Sequence, residues 1–270
     1  MMRIIVCAKQ VVDPLITTLE VDQEQKKILG PPNSKPVING FDEQALEAAL
    51  RIKEDRQDEE CEVIVLTLGS DFDLDVMKGA LASGADELFL VKNSLLDTWD
   101  SSFIARVLAA AIKHIGEADL VLCGRQASDW DHALTPYALA EQLGYSCLSL
   151  ARSVEVQEGQ VQIERIMSDG HIVMGGNLPA VVTVTSELGE LRYPSPRARL
   201  LSKKRRPKTL TLEELNVESS SSSLLELVDL SLHEEIRDCQ FIEGADGNEM
   251  GHNLAQTLVD SGVLKSKNNA

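Results

Sequence analysis

Apolar and polar residues follow each other along the first half of the chain in a pattern typical of a parallel β-sheet covered by helices. Four short apolar runs predict buried strands at residues 4–6, 63–66, 88–91 and 120–122. Apolar residues at helical spacing predict helices at residues 41–52, 74–82, 103–115 and 137–143. Strands that alternate with helices of this length form βαβ units. The first half of the chain is therefore predicted to be doubly wound α/β.

Glycines mark the ends of several predicted elements. Gly84, Gly116 and Gly144 follow helical stretches, where a C-terminal glycine is common. Residues 152–174 alternate in polarity on both sides of a Glu-Gly pair, which predicts an antiparallel hairpin, and residues 179–184 predict a closing strand. The expected fold class is α/β, with a doubly wound, mostly parallel, Rossmann-like sheet and an antiparallel hairpin.

The character of the chain changes at about residue 191. Three prolines interrupt regular structure there, and seven of the 26 basic residues lie between Arg197 and Lys208. Five consecutive serines at 219–223 predict a linker. We expect an α/β nucleotide-binding domain at residues 1–190, followed at 191–270 by a partner-recognition loop, a basic segment and an extended C-terminal arm.

Apolar residues return after the serine run. They form a strand-like stretch at 239–242 and a helical pattern through Leu254 and Leu258. Because exposed apolar surface is costly, we expect this arm to pack on another subunit. For the basic run 203–208, a disordered tail with solvated charges is the alternative interpretation.

Composition excludes several classes of protein. The 270 residues carry a formal net charge of −17, which disfavours nucleic acid and anionic membrane surfaces as partners. No apolar run approaches the ~20 residues of a membrane span, so membrane insertion is not expected. The five cysteines are scattered without a C-x-x-C pair, which favours a reduced, cytoplasmic location over a disulfide framework.

The loop at residues 123–136 is the best candidate for ligand binding. Ligands of open parallel sheets bind beyond the carboxyl ends of the strands, close to helix N-termini. Thr135 followed by Pro136 predicts an N-cap and a first helical residue, which would aim free amides at a phosphate. Alternatively, Thr135 only caps its own helix. Asp129 and Asp131 either orient the loop by accepting from its amides or are solvated.

No catalytic or metal-binding motif is present. The chain has no G-x-G-x-x-G, G-x-x-x-x-G-K-[ST], G-x-S-x-G or H-E-x-x-H sequence, and its five histidines are scattered. We therefore expect no catalytic residue and no metal ligand.

Several segments, in order and spacing, resemble the β subunit of electron transfer flavoproteins over about residues 2–215. They are residues 5–13, 39–43 with Ala45, Glu47 and Ala48, 78–86, 124–127, 178–183, and 192–194 running into 203–208. The resemblance implies a heterodimer whose FAD is bound mainly by an α subunit, with this chain forming one wall of the flavin site. It also implies AMP, or a second FAD in electron-bifurcating members, in a pocket of this chain. The chain would be an electron carrier, not an enzyme.

The resemblance also implies site residues. Those expected to bind cofactor are Cys7, Ala8, Lys9, Asn39, Phe41, Leu68, Gly69, Gly124, Gln126, Asp129, Asp131, Ala133, Leu134 and Thr135, with Phe41 approaching the flavin. Those expected to dock a flavin-dependent dehydrogenase are Tyr193, Pro194, Ser195, Pro196, Arg197 and Arg199.

The chain departs from the family pattern at several of these positions. Asn39 and Phe41 flank Gly40 where the family has proline, and Leu134 and Pro136 replace a glutamine and a glycine. Trp130 stands where the family has a small or acidic residue. Two alternatives therefore stay open: a stand-alone adenine-nucleotide-binding or hydrolysing protein, and a scaffold that has lost its nucleotide.

Overall fold

The computed structural model describes residues 1–16, 18–24, 26–56, 60–97, 100–218, 225, 227–232 and 239–264. The chain divides into two units, Met1–Ser231 and Leu232–Ala270. None of the described helices is long and apolar enough to cross a membrane.

Thirteen strands are formed by the described residues. They are β1 (Met2–Cys7), β2 (Gln10–Val11), β3 (Glu20–Asp22), β4 (Lys27–Leu29), β5 (Val37–Ile38), β6 (Cys61–Gly69), β7 (Glu87–Lys92), β8 (Leu120–Gly124), β9 (Ser146–Gln157), β10 (Gln160–Met167), β11 (Gly170–Asn177), β12 (Ala180–Val184) and β13 (Lys208–Leu210). The helices of the same residues are α1 (Gly40–Asp55), α2 (Leu74–Met77), α3 (Gly79–Ser83), α4 (Ser101–Ile115), α5 (Thr135–Leu143), α6 (Pro196–Lys204) and α7 (Gly247–Asp260).

Nine of these strands form one sheet in the order β11-β10-β9-β12-β8-β1-β6-β7-β13. The six strands from β12 to β13 are parallel, and β9, β10 and β11 form an antiparallel meander. This arrangement confirms the predicted fold class. The four predicted central strands are β1, β6, β7 and β8.

Successive side chains of each central strand point to opposite faces of the sheet and pack into two separate hydrophobic cores. Ile4 and Val6 of β1 pack with α1, α2 and α3 on one face of the sheet. Ile5 packs on the opposite face with α4 and α5. Because residues on both faces are buried, the central strands are continuous apolar runs, which is why sequence pattern alone located them.

The predicted helices also agree with the structure, with one difference. The stretch predicted as one helix at 74–82 is split at Lys78 into α2 and α3. Gly84, Gly116 and Gly144 end α3, α4 and α5 with φ of +131°, +116° and +69°, conformations that favour glycine.

The sheet continues beyond the boundary predicted at residue 190. Pro196 does not prevent a helix, because it occupies the first turn of α6 after the Ser195 N-cap. β13 then pairs in parallel with β7, and Leu210, Leu212 and Leu215 enter the core beside α4. The expectation that everything after residue 190 lies outside the α/β core is therefore wrong for this part.

The second unit agrees only partly with expectation. α7 confirms the helix predicted through Leu254 and Leu258. Residues 239–242 do not form the expected strand. The serine run 219–223 lies outside the described residues.

Candidate functional site

A pocket of about 870 Å³, counted with its open mouth, lies beyond the carboxyl ends of β1, β6 and β8. β1 pairs in parallel with β6 on one side and with β8 on the other. The strands that follow β1 are therefore added first on the β6 side and later on the β8 side, so the order of strands in the sheet reverses between β1 and β8. Open α/β sheets bind ligands at such a switch point. We call this cavity the switch-point pocket.

The pocket is lined by strand ends, by the loop after β8 and by the starts of α1, α4 and α5. Its lining residues are Cys7, Ala8, Lys9, Asp42, Leu66, Leu68, Leu96, Ser101, Ile104, Leu108, Cys123, Gly124, Gln126, Ala127, Trp130, His132, Ala133, Leu134, Thr135 and Pro136. Leucine and isoleucine side chains provide a broad apolar surface, whereas polar groups concentrate on the loop side.

Asp42 connects the two central strand ends. One of its carboxylate oxygens accepts from the Lys9 amide at 2.8 Å, and the other accepts from the Gly124 amide at 3.0 Å. Burial raises the pKa of Asp42 from 3.8 to about 7, although the hydrogen bonds with Lys9, Asn39 and Gly124 oppose this rise. The carboxyl group therefore fixes the width of the pocket floor at its strand ends.

Asn39 fixes the loop after β8 from the same side. Its side-chain amide donates to the Gln126 carbonyl at 2.8 Å, and its side-chain oxygen accepts from the Ser128 amide at 3.2 Å. Its own backbone amide donates to the Lys9 carbonyl at 2.9 Å. Asn39 is buried and does not line the pocket, so it positions the walls instead of facing the cavity.

Gly124 is required by close approach of α1. A Cβ at this position would overlap the nearer Asp42 carboxylate oxygen and lie 2.7 Å from the Phe41 Cβ. This steric overlap could be relieved only if the start of α1 moved away from β8. The glycine thus lets β8 and α1 meet at the pocket.

The loop after β8 is held by side-chain contacts. The Lys9 ammonium forms an ion pair with Asp129 at 2.6 Å, and the Gln126 side-chain amide donates to Asp131 at 2.5 Å. Asp131 and Ala133 have φ of +54° and +53°. Both aspartates therefore help to hold the loop, Asp131 through the Gln126 side-chain amide and Asp129 through the Lys9 ammonium, and no backbone amide of residues 123–136 donates to either carboxylate. The second carboxylate oxygen of Asp129 is buried without a hydrogen-bond partner among the described residues.

The start of α5 differs from the predicted capping arrangement. Leu134, not Thr135, is the N-cap, and its side chain accepts no hydrogen bond. Thr135 is the first helical residue and lines the pocket. The prediction of Thr135 as N-cap is therefore wrong, because the helix begins one residue earlier than the Thr-Pro pattern implied. The uncapped end retains amides and a partial positive charge beside the cavity.

Phe41 lies outside the switch-point pocket. It stands at the start of α1 and packs its ring under the Arg125 guanidinium, 4.7 Å from the ring centroid. The Arg125 Nε is buried without a hydrogen-bond partner within the described part of the chain. Phe41 and Arg125 form a second, separate surface on the α1 side of the sheet.

The predicted docking residues are held on α1 through Arg192. Its guanidinium and backbone amide donate to Glu47 at 2.9–3.1 Å, and the guanidinium also donates to Glu54 at 3.0 Å. Burial raises the pKa of Glu47, but the hydrogen bonds from Arg192 and Arg51 outweigh it and lower that pKa below its ordinary value. Arg192 therefore anchors the chain just before residue 193.

Residues 193–199, which we call the tyrosine segment, project from this anchor. Tyr193 is 80% exposed, and the Arg199 guanidinium lies 4.2 Å from its ring centroid. The Ser195 hydroxyl caps α6 by accepting from the Ala198 amide at 3.2 Å. The segment is short, exposed and positively charged.

Part of the basic run is structural. The Lys208 ammonium forms an ion pair with Glu87 at 2.6 Å, and the Arg205 guanidinium donates to the carbonyls of Ala85 and Asp86. These contacts attach the run to the edge of the sheet at β7. A disordered tail at 203–208 is therefore ruled out, since the run forms the end of α6 and the start of β13.

Sequence reasoning found only part of this arrangement. Of the residues expected to bind cofactor, those that line the switch-point pocket are Cys7, Ala8, Lys9, Leu68, Gly124, Gln126, Ala133, Leu134 and Thr135. Those that lie elsewhere are Asn39, Phe41, Gly69, Asp129 and Asp131. The sequence did not indicate Asp42, Ser101 or Ile104. An acidic residue in a first helical turn, or an apolar residue at helical spacing, gives no signal of a pocket.

Comparison of the sequence with known proteins identifies the family of this chain. A model of the electron transfer flavoprotein domain matches residues 33–219. The chain belongs to the electron transfer flavoprotein family. The matched residues include α1, the loop after β8 and the tyrosine segment, and so most of the features described above.

Individual relatives support the same assignment. The chain is 32% identical over 212 residues to the electron transfer flavoprotein subunit beta of Megasphaera elsdenii, covering 76% of each protein. It is 36% identical over 199 residues to a caffeyl-CoA reductase–Etf complex subunit, CarD, of Acetobacterium woodii, covering 72% of each. It is 29% identical over 232 residues to the corresponding beta subunit of Mycobacterium bovis, covering 84% of this chain and 87% of that one.

Proposed function

We propose that this chain is the β subunit of a heterodimeric electron transfer flavoprotein that holds an adenine nucleotide in the switch-point pocket. The observation that carries the nucleotide assignment is an uncapped helix start that lines the switch-point pocket opposite a broad apolar wall. The helix start suits a phosphate, and the apolar wall suits an adenosine. AMP and the adenosine part of a second FAD share this chemistry.

The proposed roles divide the pocket between its two sides. The phosphate lies against the amides of Ala133, Leu134 and Thr135, with the Thr135 hydroxyl as a further donor. The adenosine lies against the apolar wall formed by Leu68, Ile104 and neighbouring side chains. Asp42 and Asn39 hold these two sides at a fixed separation and do not themselves bind the ligand.

The flavin site is proposed for the surface around Phe41 and Arg125. A flavin held mainly by the α subunit accepts and donates electrons, and this chain supplies one wall. Arg125 as a whole is only partly buried, and we assign its guanidinium to contact with a polar group of the flavin or of the α subunit. Phe41 keeps that guanidinium over its ring and restricts its direction.

The tyrosine segment is proposed to dock a flavin-dependent dehydrogenase. Its exposed tyrosine and arginines are residue types that contribute strongly to protein interfaces. A positive segment on a chain of net charge −17 suits an acidic partner surface. Because one relative is named as a subunit of a reductase–Etf complex, a stable assembly with a reductase is included in the proposal. In this role the chain is an electron carrier in the cytoplasm.

A stand-alone nucleotide hydrolase is disfavoured by the loop after β1. The Ala8 amide donates to the Leu66 carbonyl and the Lys9 amide donates to Asp42, so neither is free to bind phosphate there. Proteins that bind phosphate after the first strand need such amides free.

The decisive experiment is purification of the full chain alone and together with its α subunit. We expect little flavin on the chain alone and a flavin spectrum only in the heterodimer. Nucleotides released by denaturation should contain AMP, or FAD beyond one equivalent, in which case electron bifurcation is possible. Stoichiometric flavin on the isolated chain would contradict a shared flavin site, and a heterodimer without any adenine nucleotide would contradict the pocket assignment.

A shortened chain tests the second unit. The structure shows that a chain ending after Lys208 would lose the core leucines of the β13 region, so it would not test assembly. A chain ending at Ser231, the end of the first unit, keeps them. We expect this shorter chain to fold and to bind the α subunit more weakly than the full chain. Equal affinity would show that the second unit is not an assembly arm.

A further inference from the structure

Two cysteines lie side by side on the floor of the switch-point pocket. Cys7 ends β1, and its Cα partner in the neighbouring parallel strand β8 is Cys123. Adjacent strands lie about 4.8 Å apart, which falls within the Cα separation that disulfides accept, about 4.4–6.8 Å. Both residues belong to the core on the α4 and α5 face and both line the pocket. Their side chains therefore point in the same direction.

The two thiols differ in access. Cys7 is half-buried and reaches the open cavity, whereas Cys123 is only 5% exposed. A hydrogen bond with the Cys7 thiol, together with burial, raises the pKa of Cys123 well above its ordinary value. An electrophile that enters the pocket therefore meets Cys7 first, and Cys123 stands behind it as the second thiol.

Neither of the other cysteines of the first unit can take part in this pair. Cys147 lies on β9, which β12 separates from β8, so it is about two strand spacings away and beyond disulfide reach. Cys61 lies at the opposite end of β6. Within the described residues no cluster of three metal-ligating side chains exists, so the pair is not part of such a site.

We propose that Cys7 and Cys123 form a redox-active dithiol that low-molecular-weight disulfides oxidise to an intramolecular disulfide. The Cys7 thiolate attacks one sulfur of the small disulfide, forms a mixed disulfide and releases one thiol. The Cys123 thiolate then attacks the Cys7 sulfur, forms the Cys7–Cys123 bond and releases the second thiol. The two cysteines lose two electrons and two protons, and the small disulfide gains both.

The test is treatment of the reduced, nucleotide-free full chain with oxidised glutathione in the absence of oxygen. After free thiols are alkylated and the chain is digested, peptides are analysed by mass spectrometry. We expect one cross-linked pair that joins residues 7 and 123, lighter by two hydrogen atoms, with no glutathione retained at either position.

Single variants separate the two steps. Cys123→Ser should retain glutathione on Cys7, and Cys7→Ser should give neither a bridge nor glutathione on the buried Cys123. Cys61→Ser and Cys147→Ser serve as matched controls and should form the bridge at the rate of the unmodified chain. A stable mixed disulfide on Cys7 of the unmodified chain, or a bridge that includes Cys147, would overturn the proposal.

A second arm, which rests on the proposed function, uses added AMP. Occupation of the pocket should slow the first step several-fold, because the nucleotide covers Cys7. A bridge that forms at the same rate with AMP would count against the nucleotide assignment while leaving the dithiol intact. Absence of any bridge in the nucleotide-free chain would overturn the dithiol alone.

Discussion

The switch-point pocket and the tyrosine segment are held in place by different kinds of interaction. The pocket walls are joined by buried groups, namely the Asp42 carboxyl, the Asn39 side chain and the close approach at Gly124. The tyrosine segment is held by a charged network at the surface, in which Arg192 is partly exposed, Glu54 is exposed and only Glu47 is buried. Breaking a buried contact leaves an unsatisfied polar group, whereas surface ion pairs contribute little and are screened by salt.

This difference fits two roles. A pocket that retains one nucleotide benefits from walls that do not move. A surface that meets a partner transiently benefits from contacts that can be exchanged. The following predictions test this difference between the switch-point pocket and the tyrosine segment.

The largest effect is expected from pH acting through Asp42. Its folded-state pKa of about 7 lies above the ordinary 3.8, so the folded protein holds this proton more tightly than the unfolded chain. The contribution to the free energy of unfolding is present at low pH and is lost as pH rises from about 4 to about 7. A shift of about 3 pKa units corresponds to about 4 kcal/mol. Asp42→Asn should remove this dependence, measured by urea unfolding across that range.

Glu47→Gln provides the control from the other region. The pKa of Glu47 is lowered, so its contribution is lost as pH falls and the sign is opposite. The difference between each variant and the unmodified chain isolates one carboxyl group. An unchanged pH profile in Asp42→Asn would show that Asp42 is not the buried group that joins the strand ends.

The next largest effect concerns the close approach at Gly124. Gly124→Ala would place a methyl group against Phe41 and Asp42, and overpacking of this kind costs about 3 kcal/mol. Gly79→Ala is the matched control, because its added Cβ has no heavy atom within 4 Å and lies in a helix. Thermal unfolding should separate the two variants. Equal melting temperatures would mean that α1 can move away from β8.

These buried contacts are also what sequence could not supply. The four central strands were predictable because burial on both sheet faces produces apolar runs, and the switch-point loop was predictable from the strand that precedes it. Asp42, by contrast, resembles any acidic residue in a first helical turn. Asp42 joins the two strand ends only because β8, about 80 residues later in the chain, places the Gly124 amide within hydrogen-bond distance of its carboxylate.

The tyrosine segment was misjudged for a different reason. Prolines suggested an irregular loop, but Ser195 followed by Pro196 is also a helix start, and α6 begins there. The local sequence is compatible with both a loop and a helix, and packing against the rest of the protein determines which of them forms. Here α6 lies against α3, and the chain beyond it adds β13 to the sheet.

A smaller effect is expected from charge reversal in the tyrosine segment. Arg197→Glu or Arg199→Glu should slow electron exchange with the dehydrogenase about tenfold at low salt, with the difference shrinking as ionic strength rises. Lys113→Glu, on α4 at the other sheet face, is the control and should exchange electrons normally. Stopped-flow reduction of the heterodimer measures the rate. A salt-independent loss would indicate a structural defect and not a docking surface.

The smallest effect is expected at the pocket mouth, where Thr135→Ala removes one hydroxyl from the start of α5. If that hydroxyl donates to a nucleotide phosphate, its loss should weaken retention by about 1 kcal/mol, or about fivefold in dissociation constant. The effect on folding should be negligible, because Thr135 does not cap its helix and its hydroxyl has no hydrogen-bond partner in the described part of the chain. Thr18→Ala, at an exposed loop position, is the control. Nucleotide content and affinity are measured by chromatography and calorimetry. Equal retention in both variants would contradict a nucleotide phosphate at the start of α5.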